Sequence, residues 1–212
     1  MELRPTVHSY DVPWGWGDVE EALSVHVLET DAATVLFGTG DEGTAEDVVA
    51  IAEDHDVDVV VAEHGDIDHF GGIPFLTDAL DVTVAIPAGD TRFLEEHGIG
   101  WDVELEAGET HWGVRTIGVP GHTPDNLAYL VDDVLVAGDT VCGSDSAFAM
   151  EGDWPGALAP LADQLNFDTD EMLESIAFLL EEEFSMVLVS HGSNVTEDGH
   201  GEVERLVDAL GE

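Results

Sequence analysis

The order of apolar runs and turn signals predicts an α/β (α+β) protein, with two sheets packed together and helices outside. Three observations carry this. Continuous apolar runs at Val59–Ala62, Val82–Ile86 and Met186–Val189 read as strands buried on both faces. Helical patterns alternate with them. The order strands, helix, strand, helix then occurs a second time, without any repeat at the level of residues. At 212 residues the chain is expected to form one domain, residues 1–212, with a substantial core.

Each element has its own signal. Leu23–Glu29 and Ala33–Phe37 flank Thr30-Asp31 and read as a hairpin. Gly38–Gly43 is turn-rich. Thr44-Ala45-Glu46-Asp47 resembles a capping box, with Asp47 in place of Glu or Gln, and predicts a helix to about His55. Strand Val59–Ala62 follows, then helix Ile73–Leu80, strand Val82–Ile86 and helix Thr91–His97. The second half predicts strands at Asp102–Glu106, Val114–Val119, Asn126–Val131 and Val134–Ala137. Gly143–Asp168 mixes Gly, Pro, Ser and Trp, and a segment of that length in a compact domain is usually functional or carries short helices. Asp168 or Thr169 caps a helix to about Glu182, strand Met186–Val189 follows, and Glu202–Leu210 is a last helix.

Charge sets the chain apart. Its 48 acidic residues face only 4 basic ones, Arg4, Arg92, Arg115 and Arg205, for a net charge of -44. Self-repulsion on that scale destabilises a fold in dilute buffer. The hydrophobic fraction of 44% is ordinary and the acids are spread along the chain, so this is no disordered acidic tail. The pattern suits molar salt, where the Debye length shrinks to roughly 3 Å, and predicts a halophilic protein with an acidic surface. Such a surface argues against nucleic acid as a partner, an inference that high salt weakens. Cys142 is the single cysteine, which excludes an internal disulfide and fits a reducing cytoplasm. The start of the chain lacks the layout of a signal peptide, and no apolar run approaches the ~20 residues of a membrane span. A soluble cytoplasmic protein is therefore expected. The sequence leaves its oligomeric state open.

The densest chemistry lies in His64-Gly65-Asp66-Ile67-Asp68-His69, four candidate metal ligands in six residues just past a strand. A cluster like this can seat two metal ions side by side. Three further candidates share its placement. His122 follows Val119-Pro120-Gly121, Asp139 follows Val136-Ala137-Gly138, and His191 follows the strand Met186–Val189. Turns beyond strand ends are where α/β folds keep their chemistry.

The set His64-x-Asp66-x-Asp68-His69-Phe70-Gly71-Gly72, Gly121-His122-Thr123-Pro124, Ala137-Gly138-Asp139 and Ser190-His191-Gly192 resembles the metallo-β-lactamase superfamily. Four motifs in order, spread over nearly the whole chain, make the resemblance specific. It implies a four-layer αββα sandwich with the metals at one edge, between the sheets. It implies that His64 and His122 hold one metal, that Asp68, His69 and His191 hold the other, and that Asp139 bridges both. It further implies a bridging water or hydroxide that attacks a carbonyl or phosphorus, with Asp68 orienting it and moving a proton. Two divalent ions, zinc first, are the expected cofactors.

One residue departs from the family pattern. Most members carry histidine where this chain has Asp66. With Asp66, Asp68, Asp139 and one hydroxide, two divalent cations are fully neutralised, so the site polarises a carbonyl less. A carboxylate also favours harder ions such as iron or manganese. Flavodiiron proteins carry a glutamate at this position, so a di-iron redox protein is the alternative reading. A weakened or inactive binding member is a third. Against the redox reading, Asp66 is shorter than glutamate, the 212 residues hold no flavodoxin domain, and Gly121-His122-Thr123-Pro124 is the hydrolase form. A metal-dependent hydrolase of a small ester, thioester, lactone or phosphoester is preferred. A thioester or other small acyl substrate is favoured on the size of the chain, and the sequence leaves nuclease activity open.

The remaining residues carry less. His8, His26, His55, His97, His111 and His200 fit no ligand motif and read as surface or satisfied histidines. Cys142 reads as a small buried hydrophobe. Asp125 is either a hydrogen-bond partner for a ligand histidine or a loop acid. Trp14 and Trp16, read as lying on a Gly-rich loop, either line a substrate groove or cap the core, and Trp154 has the same two readings. Gly143–Asp168 is expected to act as a lid or groove wall.

Overall fold

The computed structural model describes residues 1–211. Strands β1 (Glu2–Arg4), β2 (Val7–Trp16), β3 (Val19–Glu29) and β4 (Thr34–Phe37) form an antiparallel run. Helix α1 (Ala45–Asp54) leads into β5 (Val59–Val61), parallel to β4. Two short helices, α2 (Ile67–Phe70) and α3 (Ile73–Ala79), precede β6 (Thr83–Pro87), and α4 (Thr91–His97) precedes β7 (Val103–Leu105). These seven strands lie side by side in chain order.

The second sheet takes β8 (Thr110–His111), β9 (Val114–Gly118), β10 (Leu127–Val131) and β11 (Val134–Gly138). A separate ribbon pairs β12 (Cys142–Gly143) with β13 (Leu158–Ala159). Helix α5 (Thr169–Ser175) leads to β14 (Met186–Val189), which joins β11 in parallel at the sheet edge, and α6 (Gly199–Leu210) ends the fold.

Packing divides the core into layers. Val35, Phe37, Val59 and Val61 of the first sheet meet Leu127, Tyr129, Val136 and Leu188 of the second. The Phe37 and Tyr129 rings lie 5.3 Å apart across that seam. The outer face of the first sheet buries Val25, Leu36 and Val60 against Val48 and Ala52 of α1 and Leu76 of α3. The outer face of the second buries Leu135, Val187 and Val189 against Met172 of α5 and Val203 and Leu206 of α6. Two sheets with helices outside are thus a consequence of strands that are apolar on both faces.

Several local expectations change. Trp14 and Trp16 sit on a ten-residue strand, β2, not on a loop. Pro13 and Gly15 hide that strand in the sequence. Pro13 is tolerated because β1 covers only the Val7–His8 end of β2, leaving an edge beyond it. Strand β3 begins at Val19, four residues before the predicted Leu23. The capping box does not form. The Thr44 hydroxyl turns instead to Asp41, donating to its carbonyl and accepting from its amide 3.0 Å away. The helix predicted to reach Glu182 stays α-helical only to Ser175 and tightens into a 3-10 turn over Ile176–Glu181. The last helix starts at Gly199, three residues early, and the one-turn α2 went unpredicted. Among the described residues no helix is long and apolar enough to cross a membrane.

Candidate metal centre

Four chain segments deliver the seven candidate ligands to one edge of the sandwich. His64 lies three residues beyond β5, and Asp66 directly precedes α2. That single helical turn carries Asp68 and His69 on adjoining positions, directed back toward His64. His122 lies beyond β9, Asp139 directly follows β11, and His191 lies beyond β14. Gly121 makes the His122 turn possible. Its φ is +126°, and a Cβ there would lie 2.1 Å from the Met172 amide of α5.

The donor atoms converge. Asp66 Oδ2 lies 3.3 Å from His122 Nε2 and 3.7 Å from His64 Nε2. Asp68 Oδ2 lies 3.5 Å from His191 Nε2 and 3.7 Å from His69 Nε2. Asp139 Oδ2 stands between these groups, 4.0 Å from His64, 3.7 Å from His69, 3.9 Å from His122 and 3.6 Å from His191. Asp66 therefore reaches the cluster despite its short side chain, which remains half exposed at 51%.

These atoms lack partners of their own. His64 Nε2, His69 Nε2, His122 Nε2 and Asp139 Oδ1 are buried without a hydrogen bond. Each such group costs about 1–3 kcal/mol if left unsatisfied. Several of them aimed into one small volume fit cations, and the His and Asp triplets there could hold metal ions.

The electrostatics point the same way. Burial opposes the charge of Asp66, yet the His122 and His64 imidazoles hold its carboxyl well below the ordinary carboxylate range. Burial likewise opposes the charge of Asp139, and His191, His69 and His64 outweigh it. Asp68 is held down too, against burial, chiefly by His69 and His191. In return the carboxylates overcome burial at His69, His122 and His191 and raise all three imidazoles. The centre is a field built to retain positive charge.

A further ring of residues, not singled out in the sequence, aims the ligands. His69 Nδ1–H donates to Glu63 Oε2 over 2.9 Å. His122 Nδ1–H donates to Asn166 Oδ1 over 3.2 Å. Asp90 accepts from the Gly65 amide at 3.0 Å and the Thr123 hydroxyl at 2.8 Å, tying the His64 and His122 loops together. Such partners fix the tautomer and ring orientation of a ligating histidine. Glu63 carried one readable signal, an acid placed directly after Val59–Ala62. Asn166 and Asp90 carried none. Asp125, one of the two readings offered for this role, packs against Gly89 instead.

The other residues fall as follows. Trp14 packs over His191, ring centroids 5.2 Å apart, and its indole donates to Asp41. Together with Trp16 it lines a cleft above the ligands, so the groove reading of these two residues fits their position. Phe148, Leu161 and Leu165 of the Gly143–Asp168 segment line the same cleft, with Phe148 packed on Trp14 at 5.7 Å between ring centroids. Trp154 instead packs in the core beside Cys142 and Ala159. Cys142 is fully buried, its thiol directed at the Ala159 and Pro160 carbonyls. His26 is buried and donates to the Val189 carbonyl. His8 and His55 stack at 4.4 Å beside Glu29, six residues along β3 from the Leu23–His191 bridge.

Comparisons with known proteins agree with this geometry. The family model of the metallo-beta-lactamase superfamily matches residues 20–191. The hydroxyacylglutathione hydrolase of Psychromonas ingrahamii is 29% identical over 154 residues, 72% of this chain and 56% of that protein. The enzyme of the same name from Aliivibrio fischeri is 30% identical over 115 residues, 53% of this chain and 45% of that one. The chain thus spans about half the length of these curated relatives. A metallo-beta-lactamase from Pontibacter korlensis superposes with a TM-score of 0.75 at 18% identity, covering 100% of this chain and 98% of its own. The FIM-1 metallo-beta-lactamase from Pseudomonas aeruginosa, in a mono-zinc form, gives 0.72 at 16% identity, covering 97% and 90%. At such identities the structures speak for the fold alone. With its two packed sheets, its edge cluster and a family match over residues 20–191, the chain belongs to the metallo-beta-lactamase superfamily.

Proposed function

We propose that this chain is a metal-dependent hydrolase of small esters or thioesters, with a binuclear centre. One observation carries the reading: the buried, unpartnered Nε2 atoms of His64, His69 and His122 meet around Asp139 Oδ2. His64, Asp66 and His122 would hold one divalent ion, Asp68, His69 and His191 the other, and Asp139 would contact both. Zinc is the first expectation, with iron or manganese the alternative that the Asp66 carboxylate admits. Bound divalent ions supply Lewis acidity and lower the pKa of a water to near neutrality.

The chain's own residues do the rest. Glu63 and Asn166 hold the imidazoles in register. Asp68 is a carboxylate on the cleft floor and accepts the proton of the attacking water. It then returns that proton to the leaving group. The water oxygen forms a bond to the acyl carbon, the C–S or C–O bond breaks, and the products are a carboxylic acid and a thiol or alcohol. Trp14 and Phe148, packed over His191, keep bulk water from that side.

The resemblance to hydroxyacylglutathione hydrolases supports a thioester within this class. A test is metal analysis together with thioester hydrolysis, on protein purified in molar salt without a nickel column. Two zinc ions per chain with turnover support the reading. Two irons with a di-iron optical spectrum and no hydrolysis would replace it with the redox alternative.

A further inference from the structure

The cleft above the ligands has a pronounced chemical asymmetry. Its floor is Asp66, Asp68, His122, Asp139 and His191. Its walls are Trp14, Trp16, Ile67, Phe148, Leu161 and Leu165, all apolar apart from the indole nitrogens. The cavity volume is about 220 Å³, room for a short acyl chain. Trp16 and Ile67 are 57% and 47% exposed at its mouth, in a chain whose surface is otherwise rich in acids.

Among the described residues, no arginine or lysine lines this cleft. The chain has four arginines and no lysine. Arg4 pairs with Asp133 at 2.8 Å and Arg115 pairs with Glu182. Arg205 is held by Asp198 at 2.9 Å and Glu202 at 2.6 Å. Arg92 lies over the Phe93 ring, 4.5 Å from its centroid. An anionic substrate would bring its charge to an apolar wall and three carboxylates with no side chain to pair it. Like charges brought together in this way repel, and the complex is disfavoured. Two divalent ions would be largely offset by the three floor carboxylates, so they leave little field for a distant anion.

We infer that the cleft takes an uncharged thioester or ester, its apolar group laid against the packed rings of Trp14, Trp16 and Phe148, and discriminates against anionic conjugates such as glutathione thioesters. This rests on the hydrolase reading for its chemistry, with the atoms balanced as above. It separates this chain in substrate class from the curated relatives, whose names specify glutathione conjugates. Ile67 and Trp16 are its specificity-determining residues.

Two matched thioesters test it on the metal-loaded protein: hexanoyl-N-acetylcysteamine, which is uncharged, and hexanoyl-glutathione, which carries two carboxylates on the thiol. Both present the same acyl group and the same C–S bond. The expected result is a kcat/KM at least about tenfold higher for the uncharged substrate, assayed in molar salt. Equal or faster hydrolysis of the glutathione thioester overturns the inference and leaves the hydrolase reading in place. Ile67→Arg puts a cation at the mouth and should move the ratio toward glutathione by about tenfold. Trp16→Ala should raise KM for the hexanoyl substrate by about tenfold, with little change in kcat.

Calorimetry on the metal-free protein gives a readout that needs no turnover. The thioether S-hexyl-N-acetylcysteamine should bind at least about tenfold more tightly than S-hexylglutathione. That preference without hydrolysis of any ester or thioester supports the proposed occupant while the hydrolase reading falls. Equal binding, or a preference for S-hexylglutathione, sinks the occupant.

Discussion

Glu63 Oε2 accepts a hydrogen bond from His69 Nδ1 across 2.9 Å, with both side chains only 1% exposed. The proton on Nδ1 leaves Nε2 of the same ring free, and that atom faces Asp68 and Asp139. Removing the charge while keeping the shape isolates this contribution. Glu63→Gln should weaken metal binding by about 10- to 100-fold. Equilibrium dialysis at fixed pH measures it, and an unchanged dissociation constant would show that Glu63 is merely structural.

On the proposed metal centre, Asp66 would set which metal the His64–His122 side prefers, its carboxylate lying 3.3 Å from His122 and 3.7 Å from His64. Asp66→His exchanges a hard anionic donor for a neutral imidazole. Zinc should bind this variant about tenfold more tightly and thioester hydrolysis should speed up. Lower zinc affinity in the variant would mean that Asp66 is tuned for zinc after all.

Metal removal should loosen the fold as well as stop the chemistry. Ions that bind only the native state at a thousand times their dissociation constant add about 4 kcal/mol. For a chain of this size that corresponds to a Tm shift on the order of 10 °C. Thermal melts with and without chelator, followed by zinc addback, measure it. A Tm indifferent to both would argue that these histidines hold no metal.

Cys142 should be inert in the native protein. Burial first, then the nearby Asp139, pushes its thiol far up, and a protonated thiol is a poor nucleophile. Iodoacetamide should leave it unmodified over hours and label it quickly in denaturant. Rapid native labelling would place the sulfur somewhere more exposed.

The proposal of halophily also has a direct check. With 48 acidic and 4 basic residues, dilution from 1 M to 0.1 M salt lengthens the screening distance from roughly 3 Å to about 10 Å. The unfolding midpoint should fall steeply over that range in potassium chloride. A midpoint independent of salt would mean that the acids are neutralised in some other way.

Much of this molecule was legible because the relevant physics is local. Val59–Val61, Val84–Pro87 and Met186–Val189 are apolar on both faces, and such strands can sit only inside a layered sandwich. The candidate ligands were legible for a related reason: carboxylates and imidazoles crowded just past strand ends have few other uses. Strand β2 was not legible, since Pro13, Gly15 and Gly17 read as turn residues until β3 is seen pairing with it from Val7 to Trp16. The capping box failed because Thr44 found a nearer partner in Asp41.

By itself, then, the sequence determined the sandwich, the family and the seven residues worth placing, because periodicity and motif order survive without coordinates. Only the tertiary structure decided that Asp66 reaches His122, that Glu63 and Asn166 aim the rings, and that two tryptophans wall an apolar cleft lined by no arginine or lysine among the described residues. Those are relations between residues up to 100 or more positions apart, such as Glu63 and Ser190 at a separation of 127. Such contacts depend on how sheets stack and loops close, and no local pattern encodes them.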